Sequence, residues 1–238
     1  PLVDGECQFA LYAGSKERLK LAAAYAGFEK LINYGYFWFI AEPLATFMNF
    51  LYAKLVGLAL PNFLKSYGLV IICLTIVIKI LFYPLTYKSF QSMKKMQDLQ
   101  PKMNVIREKF KKDRQQQQQE IMKLYKEEKV NPMGGCLPMV LQIPVFFALY
   151  QTLAQSIELR GAVFLWIPDL SGPEPALLLP LLKPLVLLMG VSMFLQQSMT
   201  PTTADPRQAQ LFKFMPIIFT AMFWNFPAGL VLYWLTNN

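Results

Sequence analysis

One lysine constrains this chain more than any other residue. Lys79 stands inside the run Tyr67–Tyr87 (YGLVIICLTIVIKILFYPLTY), which otherwise has the composition of a membrane-crossing helix. Placing an ammonium near a bilayer centre costs roughly 2.5–3.5 kcal/mol on insertion scales, so a lysine at that depth implies a compensating environment. One compensation is snorkelling, in which the amine is lifted to the headgroups on its flexible stem. Lys79 lies eight residues before Tyr87, which is about 12 Å of helix at ~1.5 Å per residue, and the stem covers only part of that distance. The other compensation is a hydrated cavity within the membrane, and the depth of Lys79 favours it.

The rest of the chain agrees that the bilayer is the solvent. Its residues are 55% hydrophobic and 16% charged, and several apolar runs approach the roughly 20 residues that a helix needs to cross. The spans read as Tyr67–Tyr87, Gly134–Ile157, Ala176–Met199, a short one near Phe212–Phe226, and a last one from Pro227 to Asn238. The chain begins at Pro1 and shows no signal peptide, so both ends read as trimmed ends of a longer protein.

Composition also removes whole classes of chemistry. There is no histidine, which excludes His-dependent triads and HExxH metal sites. Cys7, Cys73 and Cys136 have no metal-ligand spacing, and neither a GxSxG motif nor a P-loop occurs. The expectation is a protein that is not an enzyme and has neither cofactor nor metal.

Charge sets the orientation. Twelve of the 23 Lys and Arg residues lie between Lys88 and Lys129, with six acids, whereas Glu158–Pro175 holds one basic residue, Arg160, and three acids. The positive-inside rule makes the first connection cytoplasmic and the second external, with Thr200–Lys213 inside, the break at Asn225–Pro227 outside and the N-terminal segment outside. Within the basic connection, Phe90, Met93, Met103, Ile106 and Phe110 recur at helical spacings, and Ile121, Leu124 and Tyr125 follow the polar break Lys111–Gln119. Two antiparallel helices fit, with Pro101 at a helix start or kink and Gln115–Gln119 at the tip or the start of the second helix. Such a hairpin either only fixes topology or offers a cationic, Met-bearing surface to a ribosome, a targeting factor or an emerging acidic chain.

Ahead of the first span, Glu42–Leu58 carries Glu42, Thr46 and Asn49 on one narrow stripe, with Lys54 to one side. A wide apolar face beside a thin polar stripe suits a helix lying in the outer interface, and a tilted membrane-buried segment is the competing reading. Pro61–Asn62 then turns the chain into the first span. Gly134–Pro138 opens the second span, with Gln142 and Pro144 one turn further in. Pro180, Lys183 and Pro184 disturb the outer end of the third, where Lys183 can snorkel. Phe226–Gly229 joins the last two spans so tightly that they form a hairpin of short helices, which implies local thinning or a cavity beside them. Thr75 lies one turn before Lys79, on the same face.

These residues resemble the YidC membrane-protein insertases, a family with mitochondrial and plastid relatives. The matching stretches are Tyr83–Thr86, Leu99–Lys102, Leu124–Lys126, Val130–Pro138, Gln142–Pro144, Trp166–Leu170, Met199–Thr203 and Phe226–Leu230, in consistent order over about Tyr36 to Asn238. Phe9–Lys20 also resembles the closing strand and linker of the periplasmic domain that many bacterial members carry.

The resemblance implies an all-α integral membrane protein whose five-helix transmembrane core encloses a hydrophilic groove, open to the cytoplasm and to lipid but closed outside. It divides the chain into a periplasmic-domain remnant and linker at 1–34, an interfacial amphipathic helix at 35–60 and the insertase core at 61–238, including the cytoplasmic helical hairpin 88–130. Its groove residues would be Lys79, where the family usually has Arg, with Thr75, Gln142, Tyr233 and Trp234. Lysine keeps the charge but loses the bidentate fork. Trp234 reads equally as interfacial belt packing, and Gln142 as a helix-to-helix hydrogen bond.

The implied function is that of a membrane protein insertase and chaperone in the bacterial inner (plasma) membrane. Polar outer segments of client proteins move through the cationic groove while their apolar segments enter lipid. Its partners would be nascent membrane proteins and the lipid bilayer, with the Sec translocon, ribosome and targeting factors as candidates at the hairpin, and no nucleic acid specificity. The alternative is a small transporter or channel using Lys79 in an anion path. Transporters usually show internal repeats, and none is visible in this sequence.

Overall fold

The computed structural model describes residues 11–58, 61, 65–131, 134, 137–177, 182–199 and 206–238. Parts of the expected Phe9–Lys20 strand and linker, the Pro61–Asn62 turn, the Val130–Pro138 opening, Pro180 and the Met199–Thr203 motif lie outside these residues. Among the described residues the protein is all-α, with two isolated β-bridges and no strand. The helices are α1 (Arg18–Ala24), α2 (Trp38–Gly57), α3 (Tyr67–Asp98), α4 (Gln100–Lys109), α5 (Arg114–Glu127), α6 (Leu137–Gln155), α7 (Pro184–Met199), α8 (Pro206–Met222) and α9 (Ala228–Asn237).

The first span does not stop at Tyr87. α3 runs for 32 residues, from Ser66, whose side chain caps Leu69 N at 3.5 Å, to Asp98, and it passes through Pro84 unbroken. The expected boundary followed a change in charge, but nothing between Tyr87 and Asp98 breaks a helix. The tail of α3 is therefore the first wall of the basic hairpin. Met96 and Leu99 from that wall, Met103 from α4, and Tyr125 and Val130 close a small separate core, with Met93, Ile121 and Leu124 packed against it. Of the expected pair, the first helix is divided at Leu99 between the α3 tail and α4, with Pro101 in the first turn of α4, and the second is α5. α5 starts at the glutamine run, where the Asp113 side chain accepts from Gln116 N at 3.0 Å. Phe90, expected on the packed face, is 51% exposed. Ser89 and Ser92 fasten the hairpin base by donating to Gly134 O at 2.6 Å and Asn131 O at 3.0 Å.

Other helices are shorter than the apolar runs that contain them. Among the described residues of the span expected from Ala176, the helix is Pro184–Met199, and α9 has 10 residues after Pro227. Proline suits a helix start, where its missing N–H would have no partner anyway. By length and apolarity α3 alone qualifies as a crossing helix among the described residues, with Val140–Gln155 and Pro184–Met199 as shorter apolar helices.

α2 packs its Ala41, Ala45 and Met48 face against α6 and α3. Thr152 donates to Ala41 O at 3.0 Å, and the Tyr52 and Tyr67 rings stack at 4.1 Å. Its polar stripe is occupied: Arg18 donates to Glu42, and to Thr46 at 2.8 Å, while Tyr67 donates to Asn49 at 3.4 Å. The segment expected to be linker up to Lys20 is thus helical from Arg18, where the run Leu21–Ala24 favours a helix.

Burial along the bundle is one-sided. The main core takes Val70, Ile71, Leu74 and Ile78 from α3, Val145, Leu149 and Leu153 from α6, Leu185, Val186 and Met189 from α7, and Leu230–Tyr233 from α9. It is covered at one end by Leu159, Ile167 and Leu170 of the 157–177 loop. Toward the hairpin end the same helices expose Ile80, Leu81 and Tyr83, then Leu137, Val140 and Ile143, then Val191, Phe194 and Leu195. The loop end is sealed, whereas toward the hairpin end the buried positions of α3, α6 and α7 run out, although Asn238 after α9 still donates to Ser192 of α7 at 2.8 Å.

Candidate functional site: a lysine where the packed core ends

α3 carries Lys79 one residue beyond Ile78, the last of its buried residues in the main core, with half-buried Phe82 packed against that core a turn further on. At ~100° per residue, Lys79 is offset roughly 40° from buried Thr75 on one side and roughly 40° from exposed Tyr83 on the other, so it stands at the border between the core-facing and exposed sides of α3. Thr75 is fully buried and donates to Ile71 O at 2.7 Å, satisfying its hydroxyl on its own helix. Lys79 is exposed and makes no ion pair among the described residues.

The other expected groove residues meet on the far side. Gln142 Nε2 of α6 donates to the hydroxyl of Tyr233 of α9, joining two helices that bracket the core. Gln142 is half-buried, while Tyr233 is fully buried. Trp234 packs among Phe146, Phe219 and Phe223 with ring centroids 5.3, 5.7 and 5.4 Å away. Its indole N–H is buried with no acceptor among the described residues. No hydrogen bond or ion pair among the described residues joins the Thr75–Lys79 side to the Gln142–Tyr233 side. Of the five residues, Lys79 alone is exposed.

Polar anchors at the sealed end were not foreseen from the sequence. Glu174 is 2% exposed and accepts from Trp166 Nε1 at 2.7 Å, Leu185 N at 2.9 Å and Val186 N at 3.1 Å. Lys183, expected to snorkel, is 8% exposed and donates to Trp224 O at 2.6 Å, with its amine 5.3 Å from the Trp224 ring centroid. Its amine therefore points into protein, because the carbonyl and the ring together replace water. The available signal was Pro184, a helix start whose following amides need an acceptor, and Glu174 is the nearest acid upstream.

The loop itself is tightly built. Phe164 and Ile167 exchange backbone hydrogen bonds of 2.9 Å around Leu165, which takes a φ of 54°. Although burial works against its charge, Asp169 is held below the usual carboxylate range by hydrogen bonds from Ser171 and from the Gly161 and Gly172 amides. Ala228 N donates to Gly172 O at 2.7 Å and Gly229 N to Leu170 O at 2.9 Å, so the loop straps over the start of α9.

Comparison with known proteins places this geometry. The family model described as 60Kd inner membrane protein matches residues 59–238. The chain belongs to that family. A model of the YidC periplasmic domain matches residues 3–47. Among curated relatives, "Membrane protein insertase YidC" of Syntrophobacter fumaroxidans is 52% identical over 95% of this chain and 41% of its own length. The protein of the same name from Geotalea daltonii is 51% identical over 97% of this chain and 41% of its own length. This chain therefore spans about two fifths of those relatives. A solved structure titled "Active YidC insertase crystal structure with the first transmembrane domain resolved" superposes with a TM-score of 0.64 at 26% identity, covering 92% of this chain and 51% of that one. As a member of the 60Kd inner membrane protein family, the chain is an all-α membrane protein, and the expected YidC resemblance holds.

Proposed function

We propose that this chain is the insertase core of a bacterial inner-membrane protein, and that the hairpin half of the bundle forms a cationic groove open toward the cytoplasm. The single observation that carries this reading is the placement of Lys79: it is exposed immediately after Ile78, the last buried residue that α3 gives to the main core. The basic hairpin α4–α5 lies on the cytoplasmic side, residues 1–34 belong to a periplasmic domain and its linker, and α2 lies at the outer surface.

A polar or acidic tail faces a large desolvation penalty in hydrocarbon. A wet groove ending in a lysine shortens the dry part of its path and attracts negative charge, while short helices such as α9 thin the remainder. The apolar client segment moves into lipid along exposed faces, Val140, Ile143 and Phe147 on α6 and Phe214, Ile217 and Ile218 on α8. Gln142, Tyr233 and Trp234 form the inner end of the groove, and Thr75 sets the backbone beneath Lys79. Clients are nascent membrane proteins, and the hairpin is the surface for a ribosome, targeting factor or translocon. No nucleotide site is required, because burial of an apolar span and the membrane potential on negative charge both favour insertion.

The test is insertion of a single-span client with an acidic outer tail into liposomes containing this protein, with Lys79→Ala alongside. Tail protection by the wild type that falls in the variant is the expected result. Equal protection by both removes Lys79 from the mechanism. Protection by neither points to a required partner or to an assembly role.

A further inference from the structure

We infer that Glu174 and Lys183 are positioning residues that form a two-charge clasp holding the outer end of the bundle shut. The inference rests on the reading above of which end is outer. It concerns residues that the groove mechanism does not use.

The clasp joins three pieces of chain. Both Glu174 oxygens are occupied, Oε1 by the Trp166 indole and Leu185 N and Oε2 by Val186 N. Pro184 has no N–H, so Glu174 takes the first two amides that α7 presents. It thereby fastens the loop that carries Trp166 to the start of a membrane helix. One residue before Pro184, Lys183 reaches Trp224 O in the 3₁₀ turn Phe223–Asn225 between α8 and α9. Glu174 thus locks loop to α7, and Lys183 locks α7 to the α8–α9 turn.

The chemistry explains why these are charges. A buried ion is tolerated only where its hydrogen-bonding capacity is met, and removing its partners is far costlier than never having the ion. Opening the loop would strand Glu174 and Lys183 in an apolar site or require their rehydration. An apolar seal at the same place could slide, whereas this one has a single arrangement. No ion pair joins the two charges among the described residues, so each lock acts on its own contact.

The experiment uses the full chain in proteoliposomes, with Cys7, Cys73 and Cys136 replaced by Ala and a probe cysteine at Ile71, which is fully buried beneath the loop and faces Gly229. A membrane-impermeant maleimide is added from the outer side. In the otherwise unaltered protein, Ile71→Cys stays unlabelled. In Lys183→Met and in Glu174→Gln, labelling rises at least tenfold while cooperative melting is retained, and Lys183→Arg restores protection. Lys183→Met leaves the α7 cap intact and so is read on its own if Glu174→Gln does not fold. Labelling at the unaltered rate in a folded Lys183→Met overturns the proposal. Unfolding of both variants also overturns it, since the charges would then hold the whole fold and not its closure. The same reagent applied from the inner side to Lys79→Cys reads the groove separately, so the clasp and the groove can fail independently.

Discussion

At the scale of single residues, Lys79 acts through charge and Gln142 through a hydrogen bond, and the two predict different losses. Two unit charges 4 Å apart at an effective dielectric of ~20 interact by about 4 kcal/mol. Lys79→Glu therefore lowers insertion of an acidic-tailed client by at least about tenfold, whereas Lys79→Arg keeps the charge and stays within about twofold of wild type. Equal yields from Glu and Arg in the liposome assay would remove electrostatics from the account. Tyr233→Phe deletes the acceptor of Gln142, a bond worth on average about 0.6 kcal/mol between membrane helices. A fall of about one to two degrees in melting temperature is expected, and an unchanged melt would mean that Gln142 finds another partner. Lys79 was legible in the sequence because a charge in an apolar run stands out without any structure. The fully satisfied hydroxyl of Thr75 was not, because helical spacing gives the face of a residue but not whether its own helix takes its hydrogen bond.

Helices and loops carry the seal. A Cβ on Gly68 would collide with the Phe164 ring, at the contact between the start of α3 and the loop. Overpacking of this kind costs about 1–3 kcal/mol, so Gly68→Ala should lower the free energy of unfolding by about that amount, and a neutral result would contradict the close fit of loop and helix. The loop also has a pH signature. The carboxyl of Asp169 is lowered in the folded state, so its contribution is complete above the ordinary carboxylate pKa of about 3.9 and disappears only as pH falls through the lower folded value. Amide protection factors at Gly161 and Ser171, corrected for the intrinsic pH dependence of exchange, should be unchanged from pH 7 to pH 5 and should fall only below about pH 4. Loss of protection near pH 5 would show that the hydrogen bonds to Asp169 do not hold in solution. Helix existence was readable from apolar runs and prolines, but two boundaries were not. α3 runs on to Asp98 because a change from apolar to charged residues ends a membrane's interior without ending a helix. α7 starts late because Pro184 and a distant glutamate, not the apolar run, define its first turn.

The whole molecule is a bundle whose buried core lies toward the loop end, a polarity that the family resemblance implied but that composition and periodicity alone did not reveal. Leu74 and Leu81 on α3, or Leu149 and Ile143 on α6, have similar composition and opposite burial. Leu74 and Leu81 share a face of α3 and differ by bundle end, where the loop covers helices that meet at Gly229, beside Leu170 O and Ile71, whereas Ile143 lies on the exposed stripe of α6 with Val140 and Phe147. The basic hairpin was readable as helical and as including residues 88–98, but charge alone separated that stretch from the membrane span with which it forms one continuous helix. The most direct test of the account is a cysteine scan along α3 from Ile71 to Thr86 in oriented proteoliposomes, probed with an impermeant maleimide from each side. The account predicts labelling from the hairpin side at Lys79, Tyr83 and Thr86, and no labelling from the loop side at any position. Lys79→Cys unreactive from both sides would place the residue in lipid, and labelling from the loop side would contradict the seal.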